Sequence, residues 1–185
     1  MSESLEPPVW ATSVCAGLHD AGIRHVIFVP DNPTSHVLRA LRNRSPEIRL
    51  TTATREEEAF GIAAGAYLGG QRSAVMLQSS GLGNSLNALT SLLVPYRIPV
   101  VMLISMRGEG DEWNPAQMPM GRALRPVLES IGISYTTLES ADRAAAAIGL
   151  AAQRAFGTRL PAACLLPRRI TAGNGQAGQA GQAER

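Results

Sequence analysis

The sequence predicts an α/β fold, a three-layer sandwich in which a mainly parallel sheet of about six strands carries helices on both faces. Short apolar runs alternate along the chain with segments of helical periodicity. These runs lack the polar-apolar alternation of a half-exposed sheet, as expected for strands that are buried on both faces. A length of 185 residues with 45% hydrophobic residues fits one domain with a substantial core.

The first half of the chain contains three helical and three strand patterns. Gly22 ends the first helix, and the turn that follows Pro30 leads into a helix whose apolar face includes Val37 and Leu41. The predicted elements are, in order, 9–22 (helix), 25–30 (strand), 34–43 (helix), 48–51 (strand), 56–68 (helix) and 73–78 (strand).

The second half continues this alternation. A glycine-containing turn precedes a helix, and a polar loop through Gly108 and Pro115 follows the most apolar strand. The predicted elements are 82–93 (helix), 99–105 (strand), 122–131 (helix), 134–138 (strand), an alanine-rich helix at 141–156 and a strand at 161–166. Ligands of such sheets bind beyond the carboxyl ends of the strands, so candidate residues follow Pro30, Thr51, Gln78 and Ser105.

The composition suggests how the chain is organised around this domain. Residues 1–8 are expected to be an N-terminal extension, 9–171 the folded domain, and 172–185 a disordered tail that repeats Gly-Gln-Ala. Cys15 and Cys164 lie in apolar surroundings and are predicted to be buried free thiols. Because the N-terminus also lacks the pattern of a signal peptide, a cytoplasmic protein is expected.

The charged residues exclude several classes of function. All 17 basic residues are arginine, so no lysine is present to serve in a P-loop, as a Schiff base or as a general base. The basic residues are scattered along the sequence, which predicts no nucleic-acid partner and no membrane partner. None of the three histidines has Cys, Asp or Glu at the spacing of metal ligands, so no metal site is expected in this chain.

An acidic segment begins the third predicted helix. Thr54 and Glu57 have the spacing of a capping box, and acidic residues in a first helical turn suit the helix dipole, so a purely structural role is one interpretation. Gly61, Gly65 and Gly69 follow at intervals of four residues. Since each interior glycine costs about 1 kcal/mol relative to alanine, this stripe predicts a protein interface or a tight helix contact.

The turn between Gln78 and Leu86 has the strand–glycine–helix architecture of a backbone cradle. It is not a dinucleotide fingerprint, because Leu86 replaces the third glycine and no acidic residue follows about twenty positions later.

Five segments together resemble the pyrimidine-binding domain of thiamine-diphosphate enzymes. The resemblance is greatest to the alpha subunit of sulfopyruvate decarboxylase and the matching half of phosphonopyruvate decarboxylase, and it covers about residues 10–168. The segments that carry it are 29–32, 55–70, 78–85, 95–101 and 107–122.

This resemblance implies roles for individual residues. Glu57 precedes Tyr67 by ten positions and matches the glutamate that hydrogen-bonds N1′ of the cofactor's aminopyrimidine and promotes formation of the reactive carbanion. Gln78 matches a second catalytic residue, which would donate a hydrogen bond to the substrate. By the same matching, the cofactor-binding residues are Glu57, Gly81, Gly83 and Asn84, and Asp31, Asn32 and Ser79 are substrate-binding residues. A sulfonate or phosphonate on the substrate would be bound by arginine, and the sequence does not decide among Arg97, Arg107, Arg122 and Arg125. Arg107 and Arg122 are the two predicted here. Glu56 and Glu58 are expected to cap the helix or face solvent, and residues 107–122 to form a lid.

The resemblance also implies a partner. The family binds magnesium and the diphosphate through a Gly-Asp-Gly motif on a separate domain, and this sequence lacks that motif. The implied function is therefore the alpha subunit of a heteromeric decarboxylase that acts on a small 2-oxo acid such as sulfopyruvate or phosphonopyruvate. A beta subunit would hold magnesium and the diphosphate, and the Gly61, Gly65 and Gly69 face would mediate self-association. The alternatives are half of a carboligase and a non-catalytic interaction module.

Overall fold

A computed structural model describes residues 6–110 and 112–172, which contain one parallel sheet of six strands. The strands are β1 (His25–Phe28), β2 (Arg49–Thr52), β3 (Ser73–Gln78), β4 (Val101–Ser105), β5 (Ser134–Thr137) and β6 (Ala162–Leu166). Their spatial order is β2-β1-β3-β4-β6-β5. Residues of β1, β3, β4 and β6 are buried except for the half-buried Gln78 at the end of β3, as continuous apolar runs predict for the centre of such a sheet.

Helices cover both faces of the sheet, which confirms the predicted three-layer sandwich. They are α1 (Val9–Asp20), α2 (Asn32–Arg44), α3 (Glu56–Leu68), α4 (Ser79–Ala88), α5 (Met118–Ser130), α6 (Ala144–Thr158) and α7 (Arg168–Thr171). The buried side chains form two clusters, one on each face. The first packs α1, α2 and α6 against the sheet, and the second packs α3, α4 and α5.

Two helices begin three or four residues earlier than the sequence predicts. Helix α4 begins at Ser79, directly after β3, and a π-helical turn at Leu89–Leu93 continues it. The residues predicted as a glycine turn therefore form the beginning of α4. Gly81 and Gly83 lower the helix propensity of this segment but do not prevent a helix. Helix α5 begins at Met118 because Asn114 and the short 3₁₀ turn that follows it initiate the helix: Asn114 Oδ1 accepts from Ala116 N at 3.1 Å.

The strand order places a topological switch between β1 and β3. From β1 the chain adds β2 on one side and then β3 on the other. Side chains that follow β1, β3 and β4 therefore converge at the edge where these strands end, here called the carboxyl edge. The opposite edge, where the chain enters the strands, is called the amino edge.

The ends of the chain fall partly outside the described residues. Residues 1–5 of the expected extension and 173–185 of the expected disordered tail are not described. Cys15 and Cys164 are buried free thiols as predicted, and burial raises the pKa of Cys164 to about 12. Within residues 6–110 and 112–172, no helix combines the length and apolar character needed to cross a membrane.

Candidate functional site

The carboxylate of Asp31, which follows β1, and the hydroxyl of Ser105 in β4 meet beyond the end of β3. Ser105, the last residue of β4, is 1% exposed, and its Oγ donates to Asp31 Oδ2. The other carboxylate oxygen, Oδ1, accepts from Thr34 N at 2.8 Å, so Asp31 also caps α2. Donors from two elements thus fix both oxygens of Asp31 at the carboxyl edge, while Asn32 follows as an exposed residue in the first turn of α2.

The loop after β4 is fixed to the start of α4. Ser79 is fully buried, and its Oγ accepts from Arg107 N at 3.1 Å. Gln78 lies beside it as the N-cap of α4, where its Oε1 accepts from Ser80 Oγ at 2.6 Å. The structure therefore brings together three of the predicted site residues at the carboxyl ends of β3 and β4.

Glu57 lies in the first turn of α3 with one oxygen paired and one unpaired. Its Oε1 accepts from Arg55 Nε at 2.6 Å, while Oε2 is buried and has no hydrogen-bond partner among the described residues. A buried carboxylate oxygen without a donor is costly, so such an atom indicates a missing partner.

The predicted capping box between Thr54 and Glu57 is wrong. The N-cap is Arg55, so Glu58 rather than Glu57 occupies the third helical position. Thr54 N and Thr54 Oγ1 both donate to Glu58 Oε2 at 2.7 Å. The hydrogen bond from the Thr54 hydroxyl, followed by that from its backbone N–H, holds the pKa of Glu58 below its usual value. Glu57 is thereby free of a capping role.

Glu56 does not simply face solvent, as the sequence suggested. It is half-buried, and a Cβ added at Gly81 would overlap its carboxyl group. Glycine at this position therefore allows the Glu56 side chain to lie against the first turn of α4. Gly83 has more room, since a Cβ there would lie 3.4 Å from Met120 Sδ, and Asn84 is exposed.

Arg107 is held by a buried carboxylate. Glu112 is fully buried and accepts from Arg107 Nε at 2.6 Å and Nη2 at 2.7 Å, a bidentate pair. It also accepts from the N–H groups of Gly108 and Asn114. The Arg107 hydrogen bonds are the main cause that lowers the Glu112 pKa to about 2. The guanidinium is thus oriented, and its charge is balanced within the chain.

The expected lid is fastened at several points. A Cβ added at Gly121 would overlap the carbonyl group of Arg107, and one at Gly108 would lie 2.6 Å from Gln117 O. Glu109 accepts from Arg168 N at 2.9 Å and lies 3.6 Å from Arg125 Nη2. The described part of 107–122 is therefore packed against α5, and its opening and closing stay a prediction.

Arg122, the second predicted arginine, differs from Arg107. It is exposed in α5, and its side chain makes no hydrogen bond or ion pair to another residue within the described ranges. No group of three potential metal ligands occurs there either.

The sequence did not assign a site role to Ser105, Glu112 or Glu56. Ser105 had a signal, since it is a polar residue at the end of an apolar strand. The contacts of Glu112 with Arg107 and of Glu56 with the first turn of α4 had none, because they are set by loop and helix packing that no local pattern encodes.

The glycine stripe faces away from the rest of this chain. Gly61 and Gly65 are exposed, and a Cβ at either position would meet nothing within 4 Å. A tight helix contact within the chain, one of the two sequence interpretations, is thereby wrong for these two glycines. An interface with another chain stays a prediction.

Comparisons with known proteins identify the family. Residues 10–121 match the family described as thiamine pyrophosphate enzyme, N-terminal TPP binding domain. The sulfopyruvate decarboxylase subunit alpha of Methanothermobacter thermautotrophicus is 43% identical over 137 residues, which cover 74% of this chain and 82% of that one. The phosphonopyruvate decarboxylase of Streptomyces viridochromogenes is 33% identical over 166 residues, which cover 89% of this chain and 42% of that one.

A solved structure shares the fold. It is the 2-oxoglutarate:ferredoxin oxidoreductase from Magnetococcus marinus, with a TM-score of 0.74 at 15% identity. The match covers 88% of this chain and 29% of that chain, so the present chain spans less than a third of it.

Proposed function

Because this chain belongs to the thiamine pyrophosphate enzymes, as an N-terminal TPP-binding domain, we propose that it is the alpha subunit of a heteromeric 2-oxo acid decarboxylase. Relatives of similar length are named sulfopyruvate decarboxylase subunit alpha, and longer ones phosphonopyruvate decarboxylase. The observation that carries the proposal is the buried, unpartnered Oε2 of Glu57.

The residues present fit the pyrimidine end of thiamine diphosphate. Glu57 Oε2 lacks a donor, and an aminopyrimidine ring offers one at its protonated N1′. Gly81 and Gly83, in the first turn of α4, let backbone and ligand approach closely, with Asn84 exposed beside them. These four residues are proposed to hold the aminopyrimidine.

The residues of this chain would hold a proton at the cofactor ring and orient the substrate. When bound, thiamine diphosphate supplies the electron sink that decarboxylation of a 2-oxo acid requires. Glu57 would hold a proton between its Oε2 and N1′. Gln78, whose Oε1 is occupied by Ser80 Oγ, retains its amide N–H groups to donate to the substrate carboxylate or keto oxygen.

The substrate is proposed to lie at the carboxyl edge, between the loops after β1 and β4. Asp31 and Asn32, after β1, and Ser79, after β3, are proposed to line this position. Arg107 and Arg122 are the two arginines proposed to bind an anionic 3-substituent of the substrate, such as a sulfonate or phosphonate. The Arg107 charge is balanced by Glu112, whereas Arg122 is exposed and unpaired within the described ranges. Arg122 is therefore the stronger candidate counter-ion, and Arg107 a donor of fixed geometry.

A beta subunit is proposed to complete the site. The name subunit alpha implies a second subunit in the relatives, and this sequence has no Gly-Asp-Gly motif. That partner would supply the magnesium and diphosphate contacts. Two chains of the present protein are proposed to pack through the open Gly61, Gly65 and Gly69 face, and Gly65→Leu should then lower the assembly size in sedimentation while the isolated chain stays folded.

The test is a Glu57→Gln substitution in the chain co-expressed with its beta subunit. Carbon dioxide release from sulfopyruvate, phosphonopyruvate and pyruvate is measured with thiamine diphosphate and magnesium. Glutamine cannot share a proton with N1′, so turnover should fall at least about a hundredfold, while the fold is retained.

Glu58→Gln is the matched control, because Glu58 accepts hydrogen bonds from Thr54 and is not the residue with the unpartnered oxygen. Its turnover should stay within about twofold of the parent. Equal activity of the Glu57→Gln protein would leave only a structural role for Glu57. Carbon dioxide release that yields a ligated product instead of an aldehyde would replace the simple decarboxylase with a carboligase.

A further inference from the structure

The amino edge of the sheet carries five exposed arginines in a row. Each precedes or begins a different strand, and in the spatial order of β2, β1, β3, β4 and β6 they are Arg49, Arg24, Arg72, Arg97 and Arg159. We call them the arginine row. Backbone hydrogen bonds join the first three, since Arg49 N donates to Arg24 O at 2.9 Å and Arg24 N to Arg72 O at 3.0 Å. Five neighbouring strands extend over about 19 Å.

The arginine row keeps its positive charge. Three of its guanidinium groups donate to backbone carbonyls, which carry no net charge: Arg24 Nη1 to Ile23 O, Arg72 Nη1 to Ala21 O and Arg97 Nη2 to Thr158 O, at 3.1 to 3.3 Å. Among the described residues, no carboxylate forms an ion pair with any member of the row.

The acidic groups nearest in the fold have other partners. Asp20, at the end of α1, and Glu47, before β2, contact His19 at 3.2 and 3.5 Å. Glu129, near the end of α5, accepts from the Tyr135 hydroxyl. None of these three carboxylates forms an ion pair with a member of the row.

Two members of the row occupy backbone conformations that favour glycine. Arg97 and Arg159 have φ of 54° and 57°, and they are the only non-glycine residues with positive φ in the described ranges. Arg159 ends α6 in the left-handed conformation, a position where glycine is usual. Strained positions of this kind concentrate where function requires a particular side chain.

A groove adjoins the row on the face formed by α1 and α6. It encloses about 710 Å³ and is lined mainly by small or apolar residues, including Ala21, Gly149, Ala152 and Phe156. Arg72 belongs to both features, since its guanidinium carbon lies 4.5 Å from the centre of the Phe156 ring. Asp20 also lines the groove, and its Oδ1 lies 3.2 Å from His19 Nδ1.

We propose that the arginine row and this groove form one docking surface for an acidic segment of another protein that carries an apolar side chain. Carboxylates would pair with the row, and the apolar side chain would enter the groove beside Arg72. A nucleic acid would satisfy the row through its phosphates but would offer the groove planar bases instead of a branched aliphatic side chain. The surface lies at the opposite edge of the sheet from the candidate cofactor site and is independent of the proposed activity.

The test measures binding by the full chain to a fluorescent peptide of about eight residues, glutamates with one central leucine, a length that spans the row. The variant Arg24→Gln/Arg49→Gln/Arg159→Gln should bind at least about tenfold more weakly than the parent. The control Arg39→Gln/Arg143→Gln/Arg169→Gln makes the same change of charge at exposed arginines elsewhere and should stay within about twofold. Equal weakening by both variants would mean that only net charge matters and would overturn the proposal.

A second variant tests the groove. A Cβ added at Gly149 would meet nothing within 4 Å, and Gly149 lines the groove, so Gly149→Leu should fold with an unchanged or higher Tm and fill part of the groove. Binding of the leucine peptide should weaken about fivefold, whereas binding of an all-glutamate peptide should not change. Unchanged binding of both peptides would remove the groove from the surface. Tighter binding of a labelled oligothymidylate than of either peptide would overturn the acidic-protein proposal in favour of a nucleic acid.

Discussion

At the carboxyl edge of the sheet, Asp31 and Arg107 are held by partners within the chain, whereas at the amino edge no member of the arginine row is paired with a carboxylate of the described residues. Asp31 accepts from Ser105 and Thr34, and Arg107 is paired with the buried Glu112. The arginines of the opposite edge donate only to carbonyls or extend into solvent. Both edges are built from loops of the same parallel sheet, so this difference comes from the residues placed in those loops.

The two arrangements suit different tasks. Groups whose hydrogen bonds are already formed need no reorganisation when a small substrate binds, which favours catalysis at the carboxyl edge. Exposed cations without counter-ions instead give fast, salt-sensitive association with an oppositely charged partner. We therefore expect substitutions at the carboxyl edge to change stability and turnover, and those at the amino edge to change association.

The largest expected loss of stability comes from Gly121→Ala at the carboxyl edge. The new Cβ would overlap the carbonyl group of Arg107, which is backbone and cannot move aside without loosening the loop. The free energy of unfolding should fall by about 2 to 3 kcal/mol, measured by urea denaturation.

Gly149→Ala is the matched control, since Gly149 occupies an exposed position of α6 and an added Cβ would meet nothing within 4 Å. It should raise the free energy of unfolding by about 0.5 to 1 kcal/mol. Equal effects of the two substitutions would show that the loop after β4 is not tightly packed against α5.

Ser105→Ala is expected to lower the turnover of the assembled enzyme. We infer that Ser105 is a positioning residue that fixes the Asp31 carboxylate, so its removal should lower kcat about 10- to 100-fold with a smaller change in KM. Ser105→Thr retains the hydroxyl and should recover most of the activity.

The combination with Asp31→Asn separates positioning from general destabilisation. If Ser105 acts through Asp31, then Ser105→Ala should have little further effect on kcat in the Asp31→Asn background. Independent, multiplying effects would place Ser105 outside the catalytic arrangement.

Glu112→Gln should produce a moderate and pH-dependent loss. The Glu112 pKa is lowered from 4.5 to about 2 in the folded protein, so its contribution to stability is present above about pH 4.5 and is lost as the pH falls towards 2. At neutral pH the variant should be less stable by about 1 to 2 kcal/mol, with allowance for solvent screening. Unfolding curves of parent and variant should converge as the pH falls from 4.5 to 2, and a constant difference would contradict the pairing with Arg107.

Sequence patterns predicted the fold well because strands buried on both faces leave continuous apolar runs. The bounds of α3 and β3 match the prediction, whereas the start of α4 was missed because two glycines looked like a turn. The carboxyl-edge position of Asp31, Gln78 and Ser79 also followed from the strand pattern.

Long-range packing explains what the sequence did not predict. The pairing of Thr54 with Glu58 depends on which residue begins α3, a difference of one position. The basic residues look scattered in the sequence. Five arginines, however, precede or begin five neighbouring parallel strands, and the sheet brings them to a single edge. The argument from scattering therefore does not hold in three dimensions.

The smallest expected effect is at Arg159, and it tests whether the amino edge keeps an arginine at a cost in stability. A left-handed conformation costs an L-residue about 1 kcal/mol, which glycine avoids, although glycine loses more chain entropy on folding. Arg159→Gly should therefore raise the free energy of unfolding slightly, by about 0.5 kcal/mol, in urea denaturation. Thr158→Gly, one residue earlier and still helical, should lower it by about 0.5 to 1 kcal/mol, because glycine has a lower helix propensity and the hydrogen bond from Thr158 Oγ1 to Arg154 O is lost. A destabilised Arg159→Gly protein would show that this arginine supports the fold, and the contrast between the paired Asp31 and Arg107 and the unpaired arginine row would then fail at this position.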